Sequence, residues 1–232
     1  MLDQTGHRQR IKNRFRQEGL DSFEDKHAME LLLFYSIPRK DTKPLAQTLI
    51  NEFGGLTQVL DASPEQLEKI EGVGENVSTF LALVREFVRR YNISKQNGDV
   101  PLESLAQCCD FVKPYFEGKR NEVIYLLCLD AKFKVLCCKQ VGEGSVNAAA
   151  ISVRKIVETA LNVNATTVVL AHNHPGGLAV PSEEDRQTTY RVANALRTVD
   201  ITLADHIIVA DDEAVSMVSS RMFDPNHIAG IY

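Results

Sequence analysis

The second half of the chain contains apolar runs short enough for strands, separated by segments whose apolar residues follow a helical spacing. The predicted strands are residues 122–129, 133–141, 166–170, 201–210 and 215–218, and the predicted helices are residues 102–117, 151–161 and 183–198. The short polar connection between the first two strands indicates a hairpin. Because strands and helices alternate after this hairpin, the pattern predicts a mixed sheet with helices packed on it.

The first half of the chain shows helical patterns and no strand pattern. The predicted helices are an opening segment around residues 8–16, then residues 25–35, 43–53, 63–70 and 75–91. Ser63 and Pro64 are residue types that favour a helix start, and Gly54 favours a helix end. In the opening helix, Ile11 and Phe15 are four residues apart and form the predicted buried stripe.

A polar stretch with Gly98 and Pro101 separates the two patterns, and the composition changes after it. We therefore place a helical domain at residues 1–97, a linker at residues 98–102 and a second domain at residues 103–232. The fold class predicted for the whole chain is α+β, in which an all-α domain precedes an α/β domain with a mixed sheet.

The composition is typical of a soluble globular protein, with 44% hydrophobic and 25% charged residues among 232. The polar N-terminus does not resemble a signal peptide, and no apolar run approaches the roughly 20 residues that span a bilayer. These features predict a cytoplasmic protein without a membrane partner. The five cysteines include no C-x-x-C pair and are odd in number, so we expect them to be reduced.

The charge is unevenly distributed along the chain. Up to Gly98 there are 14 Lys and Arg against 14 Asp and Glu, and the remainder has 12 against 17, so the net charge of −5 belongs to the second half. Five cations alternate through the opening helix: Arg8, Arg10, Lys12, Arg14 and Arg16. They form either a solvated cationic helix or a surface that contacts phosphate.

The candidate chemistry lies directly after the predicted strand at residues 166–170. His172 and His174 are two residues apart, so on an extended backbone both imidazoles point the same way and can converge on one metal ion. Asp185 falls in the first turn of the following helix and can lean back toward them. The pattern H-x-H-x10-D offers three protein ligands, and a fourth, open position is typical of catalytic zinc.

A simpler interpretation of the same residues stays open. Ser182 and Asp185 have the spacing of a capping box, in which both side chains satisfy backbone N–H groups at a helix start. The two histidines could equally be partly exposed polar residues at a strand end. The coincidence of all these residues in one short stretch favours the metal site.

The sequence Ile70-Glu71-Gly72-Val73-Gly74 between two predicted helices resembles the helix-hairpin-helix module, which binds nucleic acid without regard to sequence. Glycines allow a sharp turn and a close approach to phosphate, and the amides at the next helix start can bind an anion. Lys69, Gly72, Val73 and Gly74 are the candidate nucleic-acid-binding residues. The neighbouring acidic residues leave a purely structural turn as the alternative.

The metal pattern resembles the JAMM motif, also known as MPN+ or JAB, and more narrowly the bacterial RadC-like proteins. The RadC-like version reads close to HNHPSG followed by PS-x-x-D, where this chain has HNHPGG and then Pro181-Ser182 with Asp185. Residues 203–209, LADHIIV, are similar to another strand of that family. The resemblance covers about residues 5–220, with Gly176 standing where the family usually has Ser.

The resemblance implies a three-layer, cytidine-deaminase-like α/β domain that binds one Zn²⁺ per chain. It also implies Glu122 as the general base and acid, and Ser182 as a hydrogen-bond donor to the oxyanion. The first functional hypothesis is therefore a zinc metalloprotease or isopeptidase acting on a protein or peptide. The second is a DNA-associated repair or recombination factor that binds DNA through the helical domain, with a structural or nucleolytic metal domain. A zinc deaminase is excluded, because H-x-E and P-C-x-x-C are absent.

Overall fold

Two units make up the chain in a computed structural model, which describes residues 4–96, 100–144 and 152–226. Their ranges are Met1–Arg90 and Tyr91–Tyr232. The linker at residues 98–102 stays a prediction, because residues 97–99 lie outside the described residues. None of the described helices combines the length and the apolar character that are needed to cross a membrane.

The first half is all-helical, as predicted. Its helices are α1 (Gln4–Glu18), α2 (Asp25–Ser36), α3 (Lys43–Phe53), α4 (Leu56–Asp61), α5 (Pro64–Leu67) and α6 (Glu75–Lys95). Their buried faces meet in one apolar cluster that includes Met29, Leu33, Leu49, Leu67 and Leu81. The burial of these large side chains is the main force that holds the helices together.

Two helices of this half differ from the prediction. Helix α4 was not predicted, since its six residues are too few to show a helical period. The helix expected over residues 63–70 ends at Leu67, although it starts after Ser63 as expected, and Ser63 forms a capping box there. Beyond Leu67 the chain turns more tightly, because the amides of Lys69 and Ile70 donate to carbonyls only three residues earlier.

Helix α1 contacts α2 through two of its cations. The prediction that Phe15 is buried is wrong, because 42% of this residue is exposed. Instead, the Arg8 guanidinium lies 4.6 Å from the centre of the Phe34 ring and donates to the Ile37 carbonyl at 2.8 Å. The Lys12 ammonium lies 5.1 Å from the centre of another ring on α2. These cations therefore serve partly to attach α1 to α2.

The second half contains a five-stranded sheet between two layers of helices. Its elements are α7 (Leu105–Phe116), β1 (Val123–Leu129), β2 (Val135–Glu143), α8 (Val153–Asn162), β3 (Thr167–Asn173), α9 (Glu183–Arg197), β4 (Thr202–Ala210) and β5 (Glu213–Ser216). The strand order is β2-β1-β3-β4-β5, with β3 and β4 parallel and all other pairs antiparallel. The predicted mixed sheet and hairpin are therefore confirmed.

The two faces of the sheet carry separate apolar cores. One core contains Ile124, Leu126 and Leu170 with Ile156 of α8 and Val192 of α9. The core on the opposite face packs against α7 and contains Val123, Tyr125, Leu127, Val169 and Phe111. Because successive strand residues point to opposite faces, this division fixes which residues of β1 and β3 face α9.

Strand β4 contains a β-bulge that changes the direction of its side chains. Val168 pairs with Leu203, whereas the next residue of β3, Val169, pairs with Asp205. The extra residue, Ala204, packs on the α7 side, while His206 beyond it pairs with Leu170 and faces α9. A bulge re-aims the side chains that follow it, so regular alternation fails along β4.

Candidate metal centre

Three side chains with metal-binding donor atoms meet where β3 ends and α9 begins. His172 lies in β3, His174 directly follows this strand, and Asp185 lies in the first turn of α9. The two histidine Nε2 atoms are 2.8 Å apart. Asp185 Oδ1 lies 3.2 Å from His172 Nε2, and Asp185 Oδ2 lies 3.7 Å from His174 Nε2. The structure thus brings together the three predicted ligands, and the group they form could hold a metal ion.

Asn173 extends β3 farther than the sequence indicated and holds it to β1. Its Oδ1 accepts a hydrogen bond from the Val123 amide at 2.7 Å, and its Nδ2 donates to the Asn121 carbonyl at 3.2 Å. Asn173 therefore points to the face opposite the two histidines, as strand alternation requires. These hydrogen bonds fix the strand end from which His172 and His174 project.

The capping and ligand interpretations of Ser182 and Asp185 are compatible. Asp185 Oδ2 accepts from the Ser182 amide at 2.8 Å and from its hydroxyl at 2.7 Å, while Ser182 Oγ accepts from the Asp185 amide at 3.1 Å. This capping box occupies Oδ2, and Oδ1 faces His172. The Asp185 carboxylate therefore caps the N-terminus of α9 with one oxygen and offers the other oxygen to the centre.

Hydrogen bonding decides which nitrogen of His174 carries the proton. His174 Nδ1 lies 3.0 Å from the carbonyl oxygen of Leu178, and a carbonyl can only accept. The proton of a neutral His174 therefore resides on Nδ1, and the Nε2 lone pair faces the centre. The side chain of His174 is 23% exposed, whereas those of His172 and Asp185 are 0% and 2% exposed, so solvent reaches the centre beside His174.

The donor set and its spacing fit a tetrahedral zinc ion. Zinc accepts imidazole nitrogen and carboxylate oxygen at about 2.0–2.2 Å, which separates two tetrahedral donors by about 3.3 Å. The two histidine Nε2 atoms are 2.8 Å apart, Asp185 Oδ1 lies 3.2 Å from His172 Nε2, and the ligand atoms of the three residues all lie within 4.8 Å of one another. Small side-chain adjustments are therefore enough to accommodate the ion.

His206 is a further residue of this region that the sequence did not identify. It is completely buried, and its Nε2 lies 2.8 Å from His172 Nδ1. Its other ring nitrogen, Nδ1, lies 2.6 Å from the hydroxyl of Thr189, which is also completely buried on α9. His206 thus contacts the ring nitrogen of His172 that faces away from the centre.

Asp205 does not contact the centre. Its Oδ1 accepts from the amides of His206 and Val218 at 2.8 and 3.0 Å, which fixes the chain after β5 to β4. On the opposite face of the sheet, its negative charge adds to the effect of burial in raising the pKa of the two cysteines of α7. The β-bulge explains why His206, and not Asp205, lies on the face of the centre. Regular alternation from Leu203 would place Asp205 on that face, but the extra residue of the bulge places His206 there instead.

Glu122 directly precedes β1, the strand that pairs with the one carrying His172. It is half-buried, and its carbonyl accepts from the Gly144 amide at 2.8 Å. Ile124 pairs with His172, so the register continued by two residues puts position 122 opposite His174 on the same face of the sheet. The negative charge of Glu122 also acts on His172, where it opposes the effect of burial on the pKa of that imidazole.

The protonation of the centre favours metal binding. Burial lowers the pKa of His172, and it lowers the pKa of His206 well below the usual value. Burial raises the pKa of Asp185, but the contact with His172 and the hydrogen bonds from Ser182 outweigh this effect and keep that pKa below its usual value. Neutral imidazoles and an ionised carboxylate are the forms that bind metals.

We expect the metal-free protein to lose stability as the pH falls below about 6.5. There the unfolded chain binds protons on His172 and His206 that the folded chain does not, so the free energy of unfolding decreases. The decrease from pH 7.5 to 5.5 is on the order of 1 kcal/mol for a histidine that stays neutral in the folded chain over this range. Urea unfolding of chelator-treated protein at both pH values measures this decrease. An unfolding free energy equal at both pH values would contradict this protonation scheme.

The candidate nucleic-acid-binding residues form a tight turn before α6. Gly72 has a φ of +93°, which favours glycine, and the amide of the buried Val73 donates to the Ile70 carbonyl at 3.0 Å. The amide of Lys69 donates to the Gln66 carbonyl, and the Gly74 carbonyl accepts the first hydrogen bonds of α6. The amides of Lys69 and Val73 are thus used within the chain, and the Lys69 side chain is exposed.

Comparison with known proteins agrees with this architecture. Residues 102–222 match the RadC-like JAB domain family, and this range includes the whole sheet and all three candidate ligands. The chain is also 31% identical over 234 residues to UPF0758 protein FN0909 of Fusobacterium nucleatum subsp. nucleatum, covering 95% of this chain and 98% of that relative. With the family match over half of its length and a relative along nearly all of it, the chain belongs to the RadC-like JAB domain family.

Proposed function

We propose that the protein is a zinc-dependent hydrolase that cleaves an amide bond in a protein or peptide. The observation that carries the proposal is the convergence of three electron-rich donors on one point. The Nε2 lone pair of His174 faces His172 Nε2 at 2.8 Å, beside the carboxylate of Asp185. A cation placed between these donors would stabilise them, and the donor types favour zinc.

The chain's residues supply what zinc requires for hydrolysis. Zinc held by three protein ligands supplies Lewis-acid polarisation of a carbonyl and acidifies water at its open position. His172, His174 and Asp185 hold the ion, and the partial exposure of His174 leaves a side for the substrate to approach. The location of Glu122 at the edge of the same sheet face supports its role as the proton carrier, which takes a proton from the attacking water and transfers it to the leaving amine.

Ser182 is the proposed donor to the oxyanion of the substrate. The residue is exposed, and its hydroxyl donates to Asp185 Oδ2 at 2.7 Å. The Ser182 amide donates to the same oxygen at 2.8 Å, so the hydroxyl can rotate toward a substrate while the cap stays closed. A hydroxyl directed at developing negative charge lowers the barrier to amide cleavage.

A second candidate function, DNA association through the helical half, is favoured by the turn at Gly72. This turn precedes the 21-residue α6, whose first amides can face a phosphate. Against it, Arg8 and Lys12 are partly used to attach α1, and Glu71 and Glu75 lie beside the turn. The hydrolase is therefore the better supported of the two.

One set of assays on the full chain tests both candidates. Zinc-loaded and chelator-treated protein are offered unlinked peptides, isopeptide-linked peptides, and duplex and branched DNA side by side. We expect cleavage of an amide substrate that disappears with chelation and returns with zinc. Cleavage of DNA alone, or of nothing by zinc-loaded protein, would contradict the proposed hydrolase.

Binding to the same DNA at two salt concentrations is the second arm of these assays. Contacts with phosphate release counterions, so a DNA-binding protein loses affinity steeply as the salt concentration rises. A steep salt dependence would support the second candidate. No binding at low salt would remove it.

A further inference from the structure

Thr189 and His206 form a buried pair behind the candidate centre, on the side of His172 away from Asp185. The Thr189 hydroxyl lies 2.6 Å from the Asp185 carbonyl oxygen and 2.6 Å from His206 Nδ1. The other ring nitrogen of His206, Nε2, lies 2.8 Å from His172 Nδ1. All of the side chains involved are completely buried. Water is therefore excluded as an alternative partner for these atoms.

The Asp185 carbonyl sets the direction of every hydrogen bond in this chain of contacts. A carbonyl oxygen can only accept, and two oxygens 2.6 Å apart repel unless a proton lies between them, so the Thr189 hydroxyl donates there. The sulfur of Met217, 3.6 Å from the same hydroxyl, is only a weak acceptor. With its single proton used, Thr189 Oγ1 must accept from His206 Nδ1.

The remaining protons follow from the single N–H of a neutral imidazole. Because His206 carries its proton on Nδ1, its Nε2 has a lone pair and must accept from His172 Nδ1. His172 then carries its own proton on Nδ1, and its Nε2 lone pair faces His174 and Asp185. His174 reaches the same state independently through the Leu178 carbonyl.

We propose that Thr189 and His206 are positioning residues that hold His172 in the Nδ1–H form and thereby present its Nε2 to the metal. This inference rests on the proposed metal-binding function and adds a role that the three ligands alone do not explain. The partner of a ligand histidine commonly fixes its tautomer and ring orientation, and its loss typically weakens metal binding about 10–100-fold. Here the partner is a second histidine, whose own tautomer is fixed by a threonine on the helix that carries Asp185.

Thr189→Val in the full chain is the sharpest perturbation, since it keeps the shape of the side chain and removes the acceptor of His206 Nδ1–H. We expect zinc affinity, measured by competition with a chromophoric chelator, to fall about 10–100-fold. Thr189→Ser keeps the hydroxyl and should bind zinc as the wild type does. Thr188→Val makes the same chemical change at the adjacent buried position and should also leave the affinity unchanged.

Long-range ¹H–¹⁵N correlation NMR of the wild type reads the tautomers directly and needs no variant. We expect His172 and His206 to carry their protons on Nδ1 in the metal-free protein, and Nε2 of His172 to shift when zinc is added. A proton on Nε2 of His206, or a Thr189→Val protein that binds zinc as tightly as the wild type, would overturn the proposal. If the wild type cleaves no amide, the proposed function fails, whereas the tautomers and affinities still decide this inference.

Discussion

His174→Ala is expected to abolish stable zinc binding while the protein stays folded. His174 supplies one of three donors, and its side chain is 23% exposed, so its removal leaves no sealed cavity in the core. The affinity should fall by more than the roughly 100-fold that the loss of a ligand's hydrogen-bonding partner costs. Isothermal titration of chelator-treated protein with zinc measures the affinity and the stoichiometry, which should be one ion per chain in the wild type.

Thermal unfolding with and without zinc separates this loss from misfolding. At a free zinc concentration 100-fold above its dissociation constant, the wild type should gain about 2.7 kcal/mol of stability. His174→Ala should gain almost none and should unfold near the temperature of metal-free wild type. His27→Ala, which removes a histidine from α2, is the matched control and should gain as much as the wild type. Equal zinc binding by the His174→Ala and wild-type proteins would exclude His174 as a ligand.

Glu122→Gln is expected to reduce amide hydrolysis about 10²–10⁴-fold while zinc binding stays intact. The substitution keeps the size of a half-buried side chain and removes its ability to accept and return a proton. Because Glu122 is not among the three converging donors, the ion should be retained. The turnover number on the amide substrate and the zinc content of the same sample measure the two effects.

Two other glutamates provide controls for this experiment. Glu143 ends β2 and accepts a hydrogen bond from Asn121, the neighbour of Glu122, at 3.2 Å. It is therefore an alternative candidate for the proton carrier. Glu103 is exposed before α7. Glu143→Gln and Glu103→Gln should keep nearly full activity. A large loss in Glu143→Gln with normal activity in Glu122→Gln would assign the proton carrier to Glu143 instead.

The parts of the centre that the sequence could predict depend on regular geometry. His172 and His174 point the same way because successive side chains of a strand alternate between its two faces. Asp185 meets them because the capping box fixes the start of α9. The order of strands and helices likewise predicted the mixed sheet, since the hairpin and the crossovers restrict the possible pairings.

Other parts depend on irregular geometry or on distant contacts. His206 could not be assigned to the centre, because a single extra residue in β4 reverses the side-chain directions beyond Leu203. Glu122 was identified only through the family resemblance, since its position opposite His174 depends on the pairing of two strands that are distant in the sequence. Phe15 was misplaced because the side chains of Arg8 and Lys12, and not Phe15, cover the aromatic rings of α2.

Anomalous X-ray diffraction at the zinc absorption edge, from crystals of the full chain grown with zinc, tests the central claim most directly. We predict one strong peak per chain, about 2.0–2.1 Å from the Nε2 atoms of His172 and His174 and bonded to the Asp185 carboxylate. A peak coordinated by other residues, or the absence of a peak between these three side chains in zinc-saturated crystals, would contradict the account.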